Sequence, residues 1–154
     1  MKDKIDEQKF MQLALHEAKK AKSKDEIPIG AIVVNQGKVI GRGHNMKELA
    51  GDPTLHAEMI ALKQAAQYFS SWRLENCSLY VTLEPCPMCA GALLQARIEK
   101  LVFGAFDKKA GACGSLYNLV QDERFNHMIE IKSGIMAEQS KKLLQDFFQK
   151  LRNK

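Results

Sequence analysis

Two short runs decide how this chain reads: Asp52-Pro53-Thr54-Leu55-His56-Ala57-Glu58, and Glu84-Pro85-Cys86-Pro87-Met88-Cys89. Together they offer one imidazole, a pair of thiols spaced Cys-x-x-Cys, and one carboxylate set apart. An imidazole and two thiolates suit zinc, a borderline-soft ion that favours nitrogen and sulfur donors. Three protein ligands leave one tetrahedral position open, which marks a catalytic rather than a structural zinc. The carboxylate beside the histidine then has a role. It can take a proton from metal-bound water and hand it to a leaving group.

Spacing supports this reading. Asp52-Pro53-Thr54 looks like a helix start, with Asp as the cap, Pro in the first turn and a helix from about Pro53 to Tyr68. On a regular helix His56 and Glu58 point about 200° apart, so both reach one point only if that point lies off the helix end. Cys86-Pro87 repeats the device, with Cys86 near the cap, Pro87 as first helical residue and a helix to about Arg97. Cys86 and Cys89 then share a face, and a helix N-terminus lowers the pKa of nearby thiols. The expectation is two helices aiming their N-termini at one metal ion.

Other readings compete. Cys-x-x-Cys by itself fits a redox pair. A closed structural zinc would need a fourth ligand, for which Cys77, Cys113 and His44 are candidates. The full set, H-x-E followed by P-C-x-x-C, is the signature of the zinc-dependent nucleobase deaminases and favours catalytic zinc.

The rest of the chain sets the frame. Its 154 residues are of single-domain length, so 1–154 is read as one domain, and 45% hydrophobic residues suffice for a core. No apolar run approaches the ~20 residues needed to span a bilayer, so no membrane association is expected. Met1-Lys2-Asp3-Lys4 leads into an amphipathic charged stretch rather than the apolar core of a signal peptide. Four cysteines, two of them assigned to metal, point to a reducing compartment, read as the cytoplasm.

Residues 6 to 23 place Phe10, Leu13, Ala14, Ala18 and Ala21 on one helical face. Ile29 to Val34 and Val39 to Gly43 form a hairpin around the turn Asn35-Gln36-Gly37-Lys38. Ser78 to Thr82 and Leu101 to Gly104 read as strands flanking the second metal helix, which implies a parallel crossover. Residues 105 to 117 read as a loop, Met128 to Lys132 as a short strand, and Ala137 to Arg152 as a helix with Leu143, Leu144, Phe147, Phe148 and Leu151 on one stripe. The fold class is α/β, with about five strands covered by helices on both faces. Ligands of such sheets bind beyond the C-terminal ends of parallel strands, here after Thr82 and Gly104.

With these elements in place, the sequence resembles the bacterial tRNA-specific adenosine deaminases of the cytidine deaminase-like superfamily. The resemblance rests on Glu26-Ile27-Pro28-Ile29-Gly30-Ala31, His44-Asn45, Asp52 to Glu58, Leu79 to Cys86, Met88 to Ala92, Gly104-Ala105, Gly111-Ala112, Gly114-Ser115, Asn126-His127 and Phe147-Phe148, and so covers nearly the whole chain. Leu55 stands where the family usually has a small residue, and Pro87 where it often has an apolar one. Neither departure removes a reacting group.

The resemblance implies a three-layer α/β/α fold with a five-stranded mixed sheet. It also implies hydrolytic deamination of adenosine to inosine at the wobble position of a tRNA anticodon, usually of an arginine tRNA. Carried over by position, His56, Cys86 and Cys89 are the ligands of one zinc ion per subunit and Glu58 is the proton shuttle. Asn45 holds the flipped nucleotide, Ile29 walls the base pocket, and Asp107, Lys109, His127 and Arg152 fall where the family meets the anticodon loop. Family members form homodimers that help complete the substrate site, and no nucleotide cofactor is implied. The same metal chemistry could instead serve a free guanine- or cytosine-type base or nucleoside.

Charge agrees with an RNA partner. Lys plus Arg number 23 against 18 Asp plus Glu, a formal net charge of +5. Lys141, Lys142, Lys150, Arg152 and Lys154 make the C-terminal stretch basic. Such charge supplies sequence-independent affinity for phosphates.

Overall fold

The computed structural model describes residues 2–153, with side chains from Asp6 to Asn153. Met1, Lys154 and the side chains of residues 2–5 lie outside the described residues, and with them the N-terminal run and the basic Lys154 of the sequence reading.

A sheet whose central strands are buried on both faces organises the fold. Strands β1 (Gly30–Asn35), β2 (Lys38–His44), β3 (Cys77–Leu83), β4 (Lys100–Ala105) and β5 (Glu130–Ser133) form one sheet in the order β2-β1-β3-β4-β5. β1 is antiparallel to β2 and to β3, whereas β3, β4 and β5 run parallel, so the sheet is mixed. Side chains of a strand alternate between faces. Ala31, Val33, Leu79, Val81, Leu101 and Phe103 accordingly enter one core, while Ile32, Val34, Tyr80 and Val102 enter a second on the opposite face. Buried on both faces, β3 and β4 are largely apolar, as central parallel strands usually are.

Helices cover both faces. The first core is closed by α3 (Ala57–Phe69) and α4 (Pro87–Gln95), through Ala57, Ala61, Ala65, Ala90 and Leu93. On the other face α1 (Lys2–Ser23) contributes Phe10, Met11, Ala14 and Leu15. Helix α5 (Ala137–Arg152) lies beside α1 over β4. This is the expected three-layer arrangement. Among the described residues, no helix is long and apolar enough to cross a membrane.

Several boundaries differ from the sequence reading. The helix expected from Pro53 begins at Ala57. Asp52 does not cap it: its Oδ1 accepts from Thr54 N–H at 2.8 Å and from Thr54 Oγ1 at 2.7 Å, so Asp-Pro-Thr is spent on a local turn. The short helix α2 (Lys47–Ala50) was not expected, having no apolar periodicity to announce it. Helix α4 stops at Gln95, and Arg97 lies in the left-handed region at φ 64°. The last strand falls at Glu130–Ser133 rather than Met128–Lys132. A 3₁₀ turn at Leu119–Gln121, closing over α4, was also missed. The apolar stripe of α5 is only partly covered, with Leu143 in contact with the second core and Leu151 largely exposed.

One close approach sets the position of α3. A Cβ on Gly43 of β2 would meet the Ala57 carbonyl oxygen, the Ala61 nitrogen and the Ile60 Cβ. Backbone cannot yield as a flexible side chain can. Gly43→Ala is therefore expected to lower unfolding free energy by about 1–3 kcal/mol, measured by urea denaturation, with the m-value unchanged. A neutral result would show that β2 and α3 have slack between them.

Candidate active site

Both helices on the first face begin with a residue whose side chain leaves its own helix uncapped. His56 is the N-cap of α3, extended at φ −79° and ψ 157°, and Cys86 is the N-cap of α4, extended at φ −76° and ψ 173°. Neither side chain makes a cap hydrogen bond. Ordinary N-cap residues spend a side-chain oxygen on the first-turn N–H groups. Here an imidazole and a thiol stand free for another partner. Pro87 occupies the first turn of α4, as the sequence predicts.

The two helix starts meet. His56 Nδ1 lies 3.6 Å from Cys86 Sγ and 3.5 Å from Cys89 Sγ. All three donor atoms fall within 4.8 Å of one another. A tetrahedral ion with bonds of ~2.3 Å to sulfur and ~2.0 Å to nitrogen separates those donors by ~3.5 Å, so the spacing and donor types fit such an ion. Among the described residues no further His, Cys, Asp or Glu joins the group. His44 instead faces Glu17 at 3.2 Å and Lys24 at 3.0 Å, and Cys77 points to the Glu75 carbonyl. Cys113 is buried beside the Glu84 carboxylate and is not part of the cluster.

The electrostatics follow from burial and crowding. Cys86 is drawn down to about 4, first by a hydrogen bond from Cys89 and then by His56. Cys89 is pushed up by that same shared proton and by burial. His56 is raised, chiefly by its bond to Cys86. Glu58, 4% exposed, is pushed up to about 7, foremost by burial and further by the nearby Cys86. A carboxyl near neutrality is suited to give and take a proton at ordinary pH.

A cavity of about 190 Å³ opens over this group. Glu58, His56 and Cys86 line it together with Ile29, Asn45 and Asp107. It is smaller than pockets enclosing drug-sized ligands (~300–1,000 Å³), and its size suits a single ring system. Asn45 is buried, its Oδ1 accepting from Lys47 N–H at 3.2 Å, which leaves its amide NH₂ only a long 3.5 Å contact to the Ile27 carbonyl. Lys109 and Arg152 do not reach this cavity. They share a separate groove on α5 with Leu144 and Phe148. His127 lies away from both, its Nε2 hydrogen-bonded to the Ile98 carbonyl at 2.8 Å.

Two buried carboxylates that the sequence reading left without a role shape the walls. Glu26 accepts from Glu48 N–H at 3.1 Å and Leu49 N–H at 2.8 Å, capping α2 from outside. Glu84 borders the cavity and binds the loop carrying Asp107. For Glu84 the available signal was an acid directly flanking an apolar strand, where charge is uncommon; Glu26 is separated from β1 by Ile27-Pro28-Ile29 and carried no such signal.

Comparison with known proteins agrees with this geometry. The model of the MafB19-like deaminase family matches residues 5–152. A tRNA-specific adenosine deaminase of Bacillus subtilis is 51% identical over 94% of this chain and 90% of its own length. One from Haemophilus influenzae is 48% identical over 95% of this chain and 85% of its own length. A solved structure from work on A-to-I editing by tRNA:A34 deaminases at the wobble position of transfer RNA superposes with a TM-score of 0.84. It shares 41% identity, covering 88% of this chain and 98% of the other.

The three-donor cluster makes a direct prediction. Elemental analysis of purified protein is expected to find about one tetrahedrally bound divalent ion per chain. Replacing His56, Cys86 or Cys89 by Ala should abolish that content, while Cys77→Ser and Cys113→Ser should keep it. Loss of metal in Cys113→Ser with the fold intact would mean a fourth sulfur ligand and a closed site.

Proposed function

The chain belongs to the MafB19-like deaminase family, among the tRNA-specific adenosine deaminases, and from that premise we propose that it hydrolyses adenosine to inosine at the wobble position of a tRNA anticodon. The observation that carries the reading is geometric: the buried carboxyl of Glu58 lines the same base-sized cavity as His56 and Cys86 of the His/Cys/Cys cluster. A purely structural metal site has no use for such a group.

The cofactor is one zinc ion per subunit, held by His56 Nδ1, Cys86 Sγ and Cys89 Sγ. When bound, zinc supplies the Lewis acidity that makes water a nucleophile near neutral pH. The protein's own groups do the rest. Glu58 accepts one proton from the attacking water and delivers it to N1 of the purine. It then takes the second from the hydroxyl added at C6 and gives it to the 6-amino group, which leaves as ammonia while the C6 oxygen becomes the carbonyl of inosine. Water and adenosine go in; inosine and ammonia come out. Ile29 walls the ring, and the amide of Asn45 holds the nucleotide. The base must leave its stack to enter, and a single-stranded anticodon loop permits that at low cost.

Beyond the cavity, Asp107 meets the nucleotides next to the target base. The groove of Lys109, Phe148 and Arg152 receives the flanking phosphates and bases, which suits its mixture of cations and an aromatic ring. His127 contributes through the backbone it holds. An arginine tRNA is the proposed substrate. The second partner is another copy of this chain. An apolar groove of about 520 Å³ between α3 and α4, bordered by Met59, Ile60, Trp72 and Ala92, supports a homodimer, as does the 57% exposure of Trp72. Residues 1–154 act as one domain in the cytoplasm, where tRNA resides; one continuous sheet and four free cysteines support that placement.

Incubating the zinc-loaded protein with an arginine tRNA and sequencing the product should reveal inosine at the first anticodon position. Activity on free guanine or cytosine, with none on an anticodon stem-loop, would replace this reading with that of a free-base deaminase. Glu58→Ala should keep its zinc but lose about 10²–10⁴-fold in single-turnover rate. Near-normal turnover in that variant would remove Glu58 from the mechanism. Stem-loop affinity should fall steeply between about 50 and 200 mM salt, and a flat response would argue against phosphate contacts.

A further inference from the structure

Glu84 follows β3 directly and precedes the Pro85-Cys86 step into α4. Its side chain is 2% exposed, and a carboxylate so deep persists only where its lone pairs are satisfied. Every hydrogen bond its oxygens accept comes from a single downstream loop. Oε1 accepts from the Asp107 N–H at 3.0 Å and from the Ser115 hydroxyl. Oε2 accepts from Cys113 N–H at 3.0 Å and Ser115 N–H at 2.9 Å. Gly111 completes the cradle, since a Cβ there would collide with the carboxyl carbon and both oxygens. The backbone ties in the same direction, with Ala112 N–H bonded to the Pro85 carbonyl at 2.8 Å.

Between β4 and the turn at Leu119, this loop contains no helix or strand. Ala112 and Cys113 anchor its middle in the core, and the backbone N–H groups of Asp107, Cys113 and Ser115, with the Ser115 hydroxyl, are gathered on Glu84. The loop in turn carries Asp107 and Ala110 into the cavity wall and Lys109 to the groove beside α5. Asp107 Oδ1 accepts from the N–H groups of Lys109 and Ala110, so fixing the Asp107 backbone orients all three.

We propose that Glu84 is a positioning residue for the substrate: its carboxylate holds the Asp107–Ser115 loop in the shape that meets the nucleotides around the target base. The inference rests on the tRNA reading above. Glu84 borders the cavity but its oxygens are taken by loop donors, so it acts through Asp107 and not on the reacting atoms. A carboxylate is required because four donors converge on two acceptors. In an amide of the same shape, one of those acceptors becomes an NH₂ facing two donors.

The test uses the full zinc-loaded chain. Glu84→Gln should keep its zinc, and amide exchange in residues 107–115 should accelerate by about tenfold or more while β3 and β4 stay protected. On an anticodon stem-loop its KM should rise by about tenfold with kcat changed less than about threefold, the pattern of lost binding and intact chemistry. Adding Asp107→Ala to Glu84→Gln should cost little more than either change alone, because coupled residues are not additive. Ser115→Ala removes one of the four bonds and should move exchange and KM the same way by less. It also keeps the question answerable if Glu84→Gln does not fold. Unchanged loop exchange, a fall in kcat at constant KM, or full additivity with Asp107→Ala would each overturn the proposal. If the wild-type protein leaves the stem-loop untouched, the tRNA reading falls, and loop exchange alone then decides whether Glu84 holds the loop.

Discussion

His56 Nδ1 lies 3.6 and 3.5 Å from the sulfurs of Cys86 and Cys89, a contact that joins the first turns of two helices thirty residues apart in the chain. The rest of the molecule can be understood as what is needed to keep those two turns together. Both helices must lie on one face of the sheet, and both must begin at the same end of it. Strand β2 delivers the chain to α3, and β3 delivers it to α4. Because β2 and β3 are separated only by β1, antiparallel to both, they run the same way and release their helices at the same edge. The mixed sheet is thus a geometric requirement of the site.

Such a site is held against its own electrostatics. Two thiols, an imidazole and a carboxyl share a small volume in which Cys89 and Glu58 are almost completely buried. The hydrogen bond between the two thiols draws Cys86 down to about 4 and pushes Cys89 up. A divalent ion would relieve the same crowding by replacing the thiol protons with its own charge. Functional groups assembled this way lower the stability of the protein that holds them. The compensating packing is visible in the small-residue seam of α3, where Ala57, Ala61 and Ala65 sit fully buried against the sheet and the glycines of β2 accept the helix backbone.

The outer walls of the cavity follow a different rule. The short helix with Lys47 buries no residue, and the loop with Asp107 reaches the core through Ala112 and Cys113; each is also fastened by a buried carboxylate, Glu26 for the helix and Glu84 for the loop. Hydrogen bonds to a charged acceptor are among the stronger and more directional ones. They suit segments that must present polar groups to a ligand and have few apolar side chains to bury. Separation of labour results: the sheet and its helices place the cluster, and buried acids place the rim.

Local chemistry was legible along the chain. His56, Glu58, Cys86 and Cys89 announced a metal-type cluster because residue type and spacing carry that information without any fold. Short runs rich in apolar and β-branched residues announced β1, β3 and β4, and Pro87 announced the start of α4, because these are properties of a few neighbouring residues. Asp52-Pro53-Thr54 misled for the same reason. A capping sequence and an Asx turn use the same residues, and only the path of the chain into α3 selects between them. Partners distant in sequence could not be read. That Glu84 spends both oxygens on a loop starting at Asp107, that Lys109 and Arg152 share one groove apart from the cavity, and that His127 serves a backbone carbonyl are facts of three-dimensional proximity. Residue type constrains what a side chain can do; the folded backbone chooses which neighbour it does it to.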